Sequence, residues 1–140
     1  MKKIKYILFA LLLTAATGAS AKRIQPAHVY MFGFSASFQD SIIYITDIQD
    51  VRGAWMDSKT KFLEGRDHYS YQLKEYFADS LQLQQRVCMT FFATSKKKAE
   101  RKKEKLLSKY IDKKKKLIYD IRRVSIQDFK FEPVNMSPEQ

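Results

Sequence analysis

RVCMTFFATSKKKAERKKEKLLSKYIDKKKKLIYDIRR, residues 86–123, decides the fold. In its first part Val87, Met89, Phe91 and Ala93 alternate with Cys88, Thr90, Phe92 and Thr94. Apolar and β-branched residues on both sides of that alternation predict a strand covered on two faces, and hence a central one. Thr94 and Ser95 can each cap a helix, and beyond them Ala99, Leu106, Leu107, Tyr110 and Ile111 keep the three-and-four spacing of one buried helix face. The helix is expected over 96–116. Leu117, Tyr119 and Ile121 then alternate with Ile118, Asp120 and Arg122, which predicts a second strand over 117–124. A strand–helix–strand unit favours a parallel, right-handed pair, with an antiparallel arrangement around an intervening strand as the alternative.

The helix is unusual in its charge. Between Lys96 and Lys116 twelve Lys/Arg face three acids, Glu100, Glu104 and Asp112, a net +9. Arg101, Lys105, Lys109 and Lys113 follow one another at i+4, where like charges repel by a few tenths of a kcal/mol per pair, roughly. Lys96, Lys97 and Lys98 also oppose the positive end of the helix dipole. Local electrostatics therefore disfavour the helix, and packing must hold it. Twenty-one helical residues would span about 31 Å against ~26 Å for an eight-residue strand, so the end at 113–116 is expected to overhang or unwind.

Working outward towards the N-terminus, residues 29–38 read as a strand with Tyr30, Phe32, Phe34, Ala36 and Phe38 on a core face and smaller residues on the other. Gly33 marks a bulge or the close approach of another backbone. After the polar break Gln39-Asp40-Ser41, residues 42–48 complete an antiparallel hairpin. Between 49 and 66 the pattern weakens, with a short helix expected over 57–64 ending at Gly65. Asp67 is the expected N-cap of a helix of about twelve residues whose apolar face is Tyr69, Leu73, Tyr76 and Phe77. Beyond the opening stretch, Ser125-Ile126-Gln127-Asp128 resembles a single capping turn, and Phe129, Phe131 and Pro133 suggest a short edge strand. The order β-β-α-β-α-β predicts an α+β fold, a mixed four- to five-stranded sheet with both helices on one face.

The chain has 140 residues and a formal charge of +11. Lys2, Lys3 and Lys5, the apolar run 7–16 and Ala19-Ser20-Ala21 form the pattern of a signal peptide over 1–21. That leaves one domain over 22–134 and a flexible tail over 135–140. Without the three leader lysines the charge is +8, of which the helix supplies +9 and everything else −1, so the basicity is local. The apolar run falls short of the ~20 residues of a membrane span, and no second candidate follows it. The one cysteine, Cys88, excludes an intramolecular disulfide, and no cysteine stands near the cleavage site to carry a lipid. The expectation is an exported protein, periplasmic or secreted and not lipid-anchored.

The hairpin strands at 30–38 and 42–50, the stretch Asp57-Ser58-Lys59-Thr60-Lys61-Phe62 and the closing Asp128-Phe129-Lys130-Phe131-Glu132-Pro133 are together similar to small exported proteins of Bacteroides-like bacteria. That resemblance implies export and no particular activity.

Candidate chemistry divides into weak motifs and one strong feature. Ser58-x-x-Lys61 and Ser95-x-x-Lys98 match the nucleophile motif of penicillin-binding proteins, without the companion Ser-Asp-Asn and Lys-Thr-Gly elements. Val29-Tyr30 followed by Tyr44-Ile45 lacks the glycines of a GIY-YIG nuclease. His28 and His68 have no metal-ligand spacing, although Asp67 beside His68, with Asp57, Glu64 or Glu75, is an acid–base candidate. Cys88 within a strand reads as a small buried hydrophobe. Tyr44, Tyr69, Tyr71 and Tyr76 read as core and rim, with a ligand groove as the alternative.

The strong feature is the basic helix. Lys96, Lys97, Lys98, Arg101, Lys102, Lys105, Lys109 and Lys113 are the expected anion-binding residues, set against the plain reading of a solvated face. Lysine without interleaved aromatics favours charge attraction over base readout, so no specific nucleic acid is expected. The sequence thus points to a non-enzymatic binding or accessory module, without a cofactor or metal, contacting an anionic envelope lipid or polymer. The alternatives are a small envelope enzyme and a structural protein that self-associates through an exposed strand at 29–38.

Overall fold

The computed structural model describes residues 22–111 and 119–137. The expected leader, the helix extension at 112–116, the strand start at Leu117 and Ile118, and residues 138–140 lie outside the described residues. The elements are β1 (Arg23–Ile24), β2 (Tyr30–Ala36), β3 (Ile42–Thr46), β4 (Gln49–Asp50), β5 (Met56–Asp57), α1 (Arg66–Ser80), β6 (Val87–Ala93), α2 (Lys96–Ile111) and β7 (Asp120–Val124). The main sheet is mixed and five-stranded, and β1 pairs only with β5 in a separate ribbon. The α+β class and the element order agree with the sequence reading.

Strand β2 is the centre of the sheet. It pairs antiparallel with β6 along its whole length, and its other edge is taken by β3 and then β4. Phe34 opposes Ile45 while Tyr30 opposes Asp50, so the register slips by one residue and an extra residue is accommodated after Thr46. There Thr46 Oγ1 accepts the Gly33 N–H at 2.7 Å in place of a backbone carbonyl. The strand expected over 42–48 therefore stops at Thr46, and β4 begins beyond it at Gln49.

Strand β7 pairs with β3 in parallel. Consequently β6 and β7 run in the same direction but stand at opposite edges, with β2 and β3 between them, and the connection through α2 crosses the width of the sheet. The two strands are thus parallel, as expected, but do not pair with each other, and β6, expected at the centre, is an edge strand.

The helices lie on opposite faces, which corrects the single helical layer expected from sequence. A Cβ at Gly33 would stand 2.5 Å from Leu73 Cδ2, so that side of β2 faces α1. The next residue, Phe34, has its ring 5.3 Å from Tyr110 of α2. Both faces of β2 are thus buried, and Phe38, expected in the aromatic face, lies beyond the strand end and is exposed.

The thicker layer is the α1 side, where Met31, Tyr69, Leu73, Phe77, Phe129 and Phe131 join one core. Full burial of a side chain such as Leu73 or Phe77 contributes about 1.5–3 kcal/mol. The N-cap position of helix α1 is Gly65, which sits in the left-handed region (φ 71°) and offers no side-chain cap; Asp67 lies in the first turn and is not the N-cap. The expected helix at 57–64 is instead a turn in which Asp57 Oδ1 accepts the N–H groups of Lys59 and Thr60, closed by a Met56–Leu63 bridge.

At the C-terminal end, residues 125–128 form the expected turn, with Ser125 O accepting from Asp128 and Phe129. The segment after it is no strand. Its backbone is held by two side-chain amides: Gln49 bridges Phe129 O and Phe131 N, and Gln72 bridges Glu132 O and Glu132 N. Tyr69 Oη accepts the Val134 N–H and Arg23 Nη1 donates to Met136 O, so the described part of the expected tail is anchored.

Candidate anion-binding surface

Helix α2 shows how its charge is divided. Ala99 is fully buried and Lys103, Leu106 and Tyr110 follow it at i+4, i+7 and i+11, half-buried, as the stripe facing the sheet. Ile111, expected in that stripe, is exposed. Lys98, Arg101, Lys105 and Lys109 stand at i, i+3, i+7 and i+11 on an outer flank that spans about 17 Å. Glu100 and Glu104 lie on the other side of the helix, Glu104 with Leu107, Ser108 and Ile111 around a shallow depression. One flank is therefore cationic, and no ion pair to a described carboxylate neutralises it.

The predicted site residues separate by role. Lys96, Lys97, Lys98, Arg101, Lys105 and Lys109 are exposed. Lys113 lies outside the described residues. Lys102 is partly structural: its ammonium donates to Phe92 O at 2.7 Å and lies 5.2 Å from the Phe92 ring centroid. Burial, then repulsion by Arg66 and Lys98, pushes its pKa below the ordinary lysine value. Lys103, absent from the predicted set, donates to Thr46 O at 2.9 Å, and burial lowers its pKa as well. The two lysines tie the first turns of α2 to the ends of β6 and β3. Ser95 Oγ faces the Lys98 N–H at 3.5 Å, a weak cap.

The weaker motifs do not converge. Ser58 Oγ accepts the Lys22 N–H, and Ser95 serves α2 as described. His28 Nδ1 meets Asp50 Oδ2 at 2.8 Å on the surface. Burial works against the Asp50 charge, but the bonds from His28 and Arg52 outweigh it and hold the carboxyl below its ordinary value. Asp67 and His68 are exposed in the first turn of α1, joined to no other described side chain. Burial raises the Cys88 thiol, against a weaker hydrogen bond to Ser35, which makes it a poor nucleophile. Tyr69 is buried, and Tyr44 and Tyr76 pack on Phe77 at tilted and edge-on angles, so these three build core, while Tyr71 is exposed. Among the described residues no group of three or more His, Cys, Asp or Glu could hold a metal ion, and no helix is long and apolar enough to cross a membrane.

A feature that sequence reasoning missed lies where β6 passes into α2. A cavity of about 490 Å³ opens there between the β1–β5 ribbon and the first turns of α2, with Lys61, Lys98 and Lys102 on its walls. Residues so far apart in the chain gave no signal of meeting. Compared with protein-family models, with curated proteins and with solved structures, the chain matches none of them.

Proposed function

We propose that the protein is an exported binding module that contacts an anionic envelope component, lipid or polymer, through the outer flank of α2. The observation that carries this reading is the row Lys98, Arg101, Lys105 and Lys109, exposed and unpaired on a helix whose acids lie on the other side. A helix that merely kept a protein soluble would gain from alternating charges, since opposite signs at i+4 stabilise it and like signs do not. The signal-peptide pattern at 1–21 supports export. A role in contact rather than catalysis is supported by the raised Cys88 thiol.

The test is binding of the purified protein to a single-stranded polyanion across a salt series. Four lysine or arginine contacts give a log–log slope of roughly −2.8, about −0.7 per contact. Lys105→Glu/Lys109→Glu should flatten the slope by about half and weaken binding. A salt-independent affinity, or one indifferent to this double reversal, rejects the α2 flank as the contact.

A further inference from the structure

The cavity beside α2 joins two surfaces of different chemistry. Its floor and walls are Ile24, Pro26, Met56 and Phe92, contributed by the β1–β5 ribbon and the end of β6. Its charged wall is Lys61, Lys98 and Lys102, and no carboxylate lines it. About 490 Å³ falls inside the range of small-molecule sites, roughly 300–1,000 Å³, which are mostly apolar with a few polar groups to orient the ligand.

Lys61 adds an independent observation. Its φ is 62°, in the left-handed region where a residue other than Gly, Asn or Asp is uncommon. Asparagine would hold that turn with less strain, yet the position carries a long cation directed to the cavity wall. Strain retained at one residue points to use of its side chain. Burial first, and then repulsion from Arg66 and Lys98, lowers the Lys102 pKa, and an arriving anion would relieve the repulsion.

We infer that this cavity binds a single-chain anionic amphiphile, its alkyl chain against Ile24, Pro26, Met56 and Phe92 and its phosphate-type head on Lys61, Lys98 and Lys102. The inference rests on the reading of α2 as an anion contact and specifies one ligand for its first turns. An inorganic anion would leave the apolar walls wet, and a neutral amphiphile would leave the Lys61 and Lys98 ammonium groups without a partner and Lys102 with Phe92 O and the Phe92 ring alone.

Calorimetric titration with dodecyl phosphate below its micelle concentration tests it, with inorganic phosphate and dodecyl maltoside as comparisons. One equivalent should bind at least tenfold more tightly than either. Thr94→Trp, which fills the mouth from an exposed position, and Lys61→Asn should each weaken dodecyl phosphate at least tenfold. Lys61→Asn should leave the melting temperature unchanged or raise it, so its loss of binding is not a loss of fold. Lys105→Glu/Lys109→Glu, remote from the cavity, should stay within twofold. Equal affinity for dodecyl phosphate and inorganic phosphate, or indifference to Thr94→Trp and Lys61→Asn, overturns the cavity. Polyanion binding that survives in that case leaves the α2 flank standing alone, and loss of both rejects both readings.

Discussion

Arg86 shows how a single residue can anchor a sheet. Its side chain is 2% exposed, and every guanidinium nitrogen has an acceptor: Nε gives to Ser35 Oγ, Nη2 to the carbonyls of Ser35 and Ile42, and Nη1 to both oxygens of Asp40. Its Cζ lies 4.8 Å from the centroid of the Tyr44 ring. Arg86→Met keeps much of the volume but takes the guanidinium from the Ser35 and Ile42 carbonyls, each worth roughly 1–3 kcal/mol when left unpaired, while Ser35 Oγ keeps the weak bond from the Cys88 thiol. We expect a loss of about 2–4 kcal/mol, read as a lower urea midpoint at unchanged slope; a loss under about 1 kcal/mol would mean that water replaces the guanidinium. Asp40 adds a pH signature. The Ile42 N–H, with help from Arg86 and against a burial penalty, holds its carboxyl below the ordinary 3.8. A lowered carboxyl stabilises the fold above its unfolded value and loses that contribution as pH falls through the folded one, so stability should drop below about pH 3.8, less steeply in Arg86→Met. None of this was legible in the chain, where an arginine ahead of a strand reads as surface. Gly33, read as a bulge or the close approach of another backbone, lies instead against side chains, with Leu73 Cδ2 standing 2.5 Å from where a Cβ would be.

At the scale of elements the informative error is β6. Its alternation reports cover on both faces, and both are partly buried: Thr90 meets Ser70 of α1 on one, and on the other Phe91, half-buried, stacks on Phe32 of β2. Centrality is a matter of the hydrogen-bonding edges, which side-chain alternation does not encode. The free edge is blunted by cations: Arg66 Nε donates to Thr90 O at 2.7 Å and Lys102 Nζ to Phe92 O at 2.7 Å, two carbonyls that a further strand would need. The same arrangement removes the basis for self-association through residues 29–38, because β2 is paired on both sides. It yields a prediction about the other edge. Arg66→Ala/Lys102→Ala should uncover β6 and raise the weight-average mass in sedimentation equilibrium above that of the unaltered protein, with exposed Val87 and Met89 favouring the contact. An unchanged mass would show that the two cations serve packing alone.

Across the whole molecule the two helical layers are unequal, and this follows from the residues on β2. The small side chains of Gly33 and Ser35 read as an outward face in sequence; they are small because Leu73, Phe131 and Arg86 crowd onto them, which hides the second layer from any hydrophobicity pattern. On that side α1 and the C-terminal strap close a continuous core. On the other, α2 buries Ala99 fully and Leu106, Leu107 and Tyr110 partly, while Arg101, Lys105 and Lys109 repel one another along its outside. A helix so lightly packed and electrostatically opposed belongs to the part that opens first, by a sub-global unfolding that leaves α1 and β2 intact. Amide exchange should therefore be faster in α2 than in α1 or β2. An anion held on the folded flank adds about 2.7 kcal/mol to every opening that melts α2 when present at one hundred times its Kd, so α2 exchange should slow by roughly a hundredfold. Amides of the β1–β5 ribbon that exchange without melting α2 should not respond to a polyanion on the outer flank, yet should slow with dodecyl phosphate, which touches Ile24 and Met56. Equal protection of α1 and α2 in the free protein would refute the unequal layers. An α2 that stays fast at saturating polyanion would refute the flank as the place where charge is recognised.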